Sequence, residues 1–437
     1  MKFKGFILLF FFLINSVLAQ NISFEEYDLD NGLHVILHQD SSVPLVVTSV
    51  MYHVGSKNED PNRRGFAHFF EHLLFEGTKN ISRGEFMKIV ESNGGSLNAN
   101  TSQDRTYYYE YFPSNKLELG LWLESERMLH PVINQVGVDT QNEVVKEEKR
   151  RNYDNRPYGQ VLMAIVENVF EKHPYRWTTI GEMEHLDEAT LTEFTQFKEK
   201  YYVPNNAVLV VAGNFERENT KRLIQDYFGP IPKGEQLPAV SIKESPITET
   251  KKVSYFDQNI QIPMGLMAVR TPSMTSKDAY VLELISIILS DGKSSRLYKK
   301  MVDEQKIALQ VQAVNLSLED YGTYVILALP LGETKLTDLY SEIENEIELL
   351  QTELISDYEF EKLQNIVENS YVNSNSTMAG IANSLARYYT LYDDTNLINT
   401  EIEIYKSIQK DDIMRVAKSY LNKNQRIYID YLPKETE

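Results

Sequence analysis

The chain of 437 residues contains no cysteine. That excludes disulfides, thiol nucleophiles, thiolate metal ligands and acylation of a cysteine at the mature N-terminus. It is compatible with an oxidising compartment without requiring one. Beyond the first twenty residues no stretch reaches eighteen uninterrupted apolar residues, so the sequence offers no stable membrane insertion. Basic side chains are in deficit, 44 against 63 acidic, for a formal net charge of −19. This sign argues against nucleic acid and anionic membranes as partners. It suits solubility and, electrostatically, basic peptides. Histidine is scarce as well, with eight in the chain, so any close pair is informative.

The N-terminus has the layout of a secretory signal. Lys2 and Lys4 precede the apolar run Phe6 to Leu18, which ends in the small-residue site Val17-Leu18-Ala19. The expectation is a signal peptide over residues 1–19, cut near Ala19-Gln20, and an exported protein, periplasmic or secreted. An uncleaved anchor is the competing reading of the same run. Losing Lys2 and Lys4 makes the mature chain two charges more acidic.

The most informative residues are His68-Phe-Phe-Glu71-His72. On a helix, positions four apart share a face, so both imidazoles can grip one metal ion. Glu71 projects beside the same ion, where a carboxylate can take a proton from water. The pattern His-x-x-Glu-His is the inverse of the commoner zinc-peptidase order. At this histidine frequency a chance match is expected in about 1% of chains this long. The same residues also suit two half-buried histidines bonded to backbone carbonyls. A catalytic zinc needs a third protein ligand and an open position. No histidine follows His185, so a remote third ligand is expected to be a carboxylate.

The length allows two substantial domains with cores that need no staple. Phe24 to Asp40 reads as a hairpin around Asn31-Gly32, and Leu45 to His53 as another strand. Helices are expected over Gly65 to Glu76, Arg83 to Asn93, Leu117 to Met128 and Val138 to Asn152. Ser96 to Phe112 reads as two strands around a polar turn, and Leu209 to Asn214 as a short apolar strand. The stretch GPIPKGEQLPAVSIKESPITETKK, 229–252, reads as an extended linker. Beyond it a similar order returns: a strand at Met264 to Val269, helices at Lys277 to Ser290 and Arg296 to Gln305, strands within Ala308 to Leu329, and a closing strand at Arg426 to Tyr431. The expected plan is α+β, close to an α/β sandwich. Two homologous domains, 20–228 and 253–437, each carry a mostly antiparallel sheet packed with helices in a clam-shell arrangement. The second half repeats no His-x-x-Glu-His, so only the first can hold metal.

GFAHFFEHLLFEGTKN (65–80) resembles the inverted zinc motif of the pitrilysin/insulinase metallopeptidases, and NEVVKEEKR (142–150) resembles their downstream glutamate helix. VLVVAGNF and GKSSRLY extend the resemblance across nearly the whole mature chain. In length the chain resembles the short branch of mitochondrial processing peptidase and its bacterial relatives. The resemblance implies one zinc ion per chain, held by His68, His72 and Glu148, with Glu71 as base. Neutral imidazole and carboxylate suit zinc. Glu143 and Glu147 compete for the third position, although on a helix each points roughly 100–140° away from Glu148.

The resemblance also implies that Ser96-Leu-Asn-Ala-Asn-Thr is an edge to which peptide substrate adds as a strand, with Asn98 and Ala99 at the binding positions. A plain polar edge strand is the alternative. Phe75, Phe112 and Tyr107 to Tyr109 are candidates for a pocket, although aromatics on alternating strands more often belong to the core. Two departures from the family stand out. Gln141 replaces a glutamate that lies behind a ligand histidine; its carbonyl can still accept the imidazole N–H, and restoring glutamate there is expected to tighten zinc binding. In the second half, Val302 and Leu309 fall where active members carry an arginine and a tyrosine that hold the substrate carbonyl. Arg296 and Tyr298 are nearby and polar but match a different part of the turn. Loss of one such donor typically costs ~10²–10³ in rate. The implied function is a zinc endopeptidase acting on short or unfolded peptides, built as a heterodimer with a homologous zinc-less subunit that supplies the Arg/Tyr pair. A homodimer is the other assembly. A non-catalytic core or binding subunit on the same fold is the alternative, and a peptide-capturing chaperone a third reading.

Overall fold

Runs such as Ala207-Val-Leu-Val-Val-Ala-Gly, buried at every position, make strands covered on both faces. The computed structural model describes residues 21–238 and 242–434; the expected signal peptide, 1–19, lies outside them, as do 239–241 of the expected linker. The first sheet comprises β1 (Glu25–Asp28), β2 (His34–Gln39), β3 (Leu45–Tyr52), β4 (Ser96–Thr101), β5 (Thr106–Pro113) and β6 (Ala207–Gly213), in the order β1-β2-β6-β3-β5-β4. The second comprises β7 (Lys251–Asp257), β8 (Met264–Thr271), β9 (Ala308–Ser317), β10 (Gly322–Pro330) and β11 (Ile427–Pro433), in the order β7-β11-β8-β10-β9.

Placed side by side, β2-β6-β3-β5-β4 and β7-β11-β8-β10-β9 have one topology. Each has a parallel pair, β2 with β6 and β7 with β11, and antiparallel neighbours otherwise. Each ends in a hairpin whose first strand, β4 or β9, has a neighbour on one side only among the described residues. The chain is therefore two copies of one α+β unit, the first with β1 added. Sequence reading missed β7, whose Val, Tyr and Phe sit directly after the polar linker-like stretch.

One face of the first sheet packs under its own helices through Val35, Leu37, Val50, Tyr108 and Phe112. The other face is covered from the far half. Helix Met378–Tyr392 lays Ile381, Ala382, Leu385 and Ala386 on Ile36, Val47, Met51, Val208 and Val210. The exchange is reciprocal: helix Val161–Val169 places Ala164, Ile165, Val166 and Val169 on Leu266, Ala268, Val325 and Ile429 of the second sheet. Each half thus lends the other a helix. No helix among the described residues is long and apolar enough to cross a membrane.

Candidate metal centre

Helix Phe66–Leu73 carries the motif because its apolar residues, Phe66, Phe69, Phe70 and Leu73, face the core and leave His68, Glu71 and His72 at its margin. Its start is built by Gly65, at φ 96°, and by the buried Glu59. The Glu59 carboxyl accepts the Gly65 and Ala67 N–H groups, each at 2.9 Å, satisfying donors that a helix start leaves free. Burial pushes this carboxyl up to about 8, although the two backbone bonds pull the other way. Nothing in the sequence pattern marked Glu59.

The third residue comes from helix Gln135–Lys149. The Glu148 Oε2 lies 3.4 Å from His72 Nε2 and 3.7 Å from His68 Nε2. One potential ligand atom from each of the three residues falls within 4.8 Å of the others. Glu143 and Glu147 are exposed and pair with Lys146 and Arg150, whereas Glu148 clusters with the two histidines. Zinc holds N and O donors at ~2.0–2.2 Å, which sets tetrahedral neighbours ~3.3–3.6 Å apart. The 3.4 Å separation falls within that spacing and the 3.7 Å one just beyond it. The protonation states fit too: burial and then the neighbouring His72 push the His68 imidazole well below its ordinary pKa, into the neutral form a ligand requires. The hydrogen bond to His72 holds Glu148 below the usual carboxylate range against the effect of burial. His68, His72 and Glu148 therefore suit a zinc ion.

Glu71 lies beside this triad. Burial raises its carboxyl, while the Thr101 hydroxyl, donating at 2.6 Å to Oε2, and His72 draw it back. Thr101 was not foreseen; it reaches Glu71 because the end of β4 packs against the metal helix. Directly after Glu148 the helix widens into a single π turn, Arg150–Asp154, which turns the Asn152 side chain back to Glu148. Such turns concentrate at functional sites.

The other predicted residues fall in mixed places. Asn98 is exposed and Ala99 half-buried on β4, whose outer edge has no strand partner among the described residues. Asn98 Oδ1 accepts the Ala99 N–H at 2.9 Å. Phe75 packs into the core, edge-on to Phe86 and against the Arg127 guanidinium at 4.5 Å. Tyr108 and Phe112 are buried beneath it, while Tyr107 and Tyr109 face the crossing helix Met378–Tyr392. Gln141 donates its amide to Glu76 Oε1 at 2.5 Å. It is thus turned toward a carboxylate rather than toward an imidazole. Val302 is half-buried against the second half's core, and Leu309 is 47% exposed on β9. Arg296 is held by Glu359 in a two-bond pair, at 2.7 and 3.1 Å.

The family description "Insulinase (Peptidase family M16)" matches residues 34–182, and "Peptidase M16 inactive domain" matches residues 188–367. The chain belongs to the insulinase family, M16. The second description begins within the metal-bearing half of this M16 chain, before β6, and runs on through much of the half that lacks the triad. Zinc protease PqqE of Helicobacter pylori is 28% identical over 404 residues, covering 92% of this chain and 91% of that protein. The crystal structure of a protease from Helicobacter pylori superposes with a TM-score of 0.89 at 28% identity, covering 94% of this chain and 99% of that one. A peptidase M16 inactive domain from Pseudomonas fluorescens shares the fold with a TM-score of 0.84 at 16% identity, covering 95% and 99%.

Proposed function

We propose that this M16 chain is an exported zinc-dependent endopeptidase that hydrolyses short or unfolded peptides. We further propose that it works as the zinc-bearing subunit of a heterodimer. The observation that carries the reading is the convergence of His68, His72 and Glu148 beside the half-buried carboxylate of Glu71. The zinc-protease name of the PqqE relative supports it. The proposed layout is a metal-bearing domain at 20–228, a linker at 229–252 and a metal-free domain at 253–437. The signal-like N-terminus supports export, with maturation near Ala19-Gln20 and a periplasmic or secreted destination.

His68, His72 and Glu148 would hold the zinc ion, which when bound would polarise a scissile carbonyl and make a water acidic enough to give up a proton and become a nucleophile. Glu71 then acts as general base and passes the proton to the leaving amine. Its depth keeps the carboxylate poorly solvated and therefore basic. The free edge of β4 supports capture of a peptide as an added strand, with Asn98 and Ala99 beside it. Phe75 forms the wall behind that edge. Gln141, through Glu76, braces the end of the metal helix. Neither Val302 nor Leu309 can donate a hydrogen bond to a developing oxyanion. The exposed Leu309 on β9 supports a missing donor that comes from a homologous zinc-less partner. A homodimer would not supply it from these two positions.

The test compares wild type and Glu71→Gln, each alone and mixed with such a partner. Both proteins are expected to bind one zinc. Only wild type with partner is expected to cleave quenched peptides, with Glu71→Gln at least ~10²-fold slower. Full activity of the lone chain would sink the heterodimer. Bound zinc without peptidase activity in any pairing would favour the alternative, a non-catalytic binding subunit, which the missing donors already favour mildly.

A further inference from the structure

The two sheet-ending hairpins meet tip to tip. The turn between β4 and β5, Ser102 to Arg105, touches the turn between β9 and β10 in the second half, where the Glu319 N–H donates to Asp104 Oδ2 at 3.1 Å. Between them sits Lys57, only 6% exposed. Its ammonium is 3.1 Å from Asp104 Oδ1 and 3.3 Å from Asp320 Oδ2, and it donates to Glu319 as well. The Tyr175 hydroxyl donates to Asp104 and accepts the Asp320 N–H at 3.1 Å. His53 closes on Glu319 at 2.8 Å and His173 on Asp320 at 3.3 Å.

The backbone around Lys57 is also laid flush on the first turn. Ser56 N–H donates to Ser102 O at 3.2 Å and Lys57 N–H to Gln103 O at 2.9 Å. A Cβ on Gly55 would stand 2.4 Å from the Gln103 carbonyl, so only glycine allows this approach. The residue that leads into the turn is Thr101, whose hydroxyl holds Glu71 at 2.6 Å. As an edge strand, β4 has one strand neighbour among the described residues, so beyond its packing on the metal helix its position depends on β5 and on this turn.

We propose that Lys57 is a positioning residue for catalysis: by tying the second half's hairpin tip to the β4–β5 turn, it fixes Thr101 and through it the Glu71 carboxylate. The proposal rests on Glu71 being the general base. Without the ammonium, Asp104, Glu319 and Asp320 would keep Tyr175, His53 and His173 as partners but lose the one lysine that neutralises all three, and the tips would part. Displacement of a reacting group by about 1 Å can cost ~10²-fold in rate.

Two measurements on the zinc-loaded full chain decide it. In threonine-methyl NMR, with the resonance assigned through Thr101→Val, Lys57→Met is expected to move the Thr101 signal toward its position in Glu71→Gln. Lys57→Arg should leave it near wild type, and zinc stoichiometry should not change. In peptide assays with the partner present, Lys57→Met and Thr101→Val should each lower kcat by about 10- to 100-fold with KM nearly constant. The double variant should be no slower than the slower single, because both remove one linkage. An unmoved Thr101 resonance in folded Lys57→Met overturns the proposal, and so do additive effects on kcat. If Lys57→Met does not fold, the milder Glu319→Gln takes its place in both measurements. Should wild type prove inactive in every pairing, the peptidase reading fails, while the methyl resonance still decides whether Lys57 positions Thr101.

Discussion

The reciprocal exchange of helices makes a strong prediction about the isolated halves. Residues 20–250 would retain the whole first sheet but lose helix Met378–Tyr392. Six side chains of that sheet, Ile36, Val47, Met51, Tyr107, Val208 and Val210, are at most 3% exposed and share a core cluster with that helix. Each fully buried side chain of this kind contributes about 1.5–3 kcal/mol, so uncovering all six forfeits about 9–18 kcal/mol. Residual burial in a compact unfolded chain trims this by roughly 10–40%. What remains is comparable with the ~5–15 kcal/mol that holds a typical domain together. The fragment should therefore show no cooperative melt by near-ultraviolet circular dichroism and should bind a hydrophobic dye. Adding residues 251–437 in trans should restore the transition. In the full chain, Leu385→Ala should cost about 2–5 kcal/mol and lower one shared transition rather than split it. A monomeric 20–250 fragment that melts cooperatively with native-like packing would refute the reasoning.

Two further outcomes follow from single sites. Gln141→Glu sets a second carboxylate against Glu76, so zinc affinity in a chelator titration should fall, by about tenfold, instead of rising as sequence reasoning expects; tighter binding would show that Glu76 does not occupy this place. At the hairpin tips, burial alone would raise the Glu319 and Asp320 carboxyls, but the His53 bond and Lys57 charge on the first, and the His173 bond and Lys57 charge on the second, hold both below the usual range. Groups depressed in the folded state contribute stability above their unfolded pKa of ~4 and lose it as pH falls through the folded values. With Asp104, Tyr175 and both histidines facing the same cluster, calorimetry should find Tm dropping steeply below about pH 4 in wild type and less steeply in Lys57→Met. Parallel curves would count against the latch.

Local patterns made the metal helix, its histidines, the β4–β5 hairpin and the repeat of the unit legible. Period and spacing are properties of neighbouring residues, and these elements depend on little else. Glu148 was pointed to by the resemblance to the family's downstream glutamate helix, helical rotation adding only that Glu143 and Glu147 face away from it. The residues that escaped notice act across long sequence separations. Thr101 matters because β4 runs beside the metal helix, Glu59 because the loop before that helix folds back onto its start, and Lys57 because two hairpins meet. The crossing helices were equally invisible, since an apolar face does not say which sheet it covers. The Gln141–Glu76 bond escaped notice for a related reason: the two residues meet only once the chain after the metal helix packs on helix Gln135–Lys149.

The π turn at Arg150–Asp154 has a consequence for how this chain can vary. It places one extra residue per turn immediately downstream of Glu148, so the ligand keeps its register while everything after it is rotated by roughly 100°. That rotation precedes the stretch in which the chain leaves the metal-bearing half and supplies helix Val161–Val169 to the other. A single-residue deletion here would spare all three histidine and glutamate ligands yet aim the crossing helix at the wrong place. In this protein an apparently harmless length change beside the metal would be felt first on the opposite sheet.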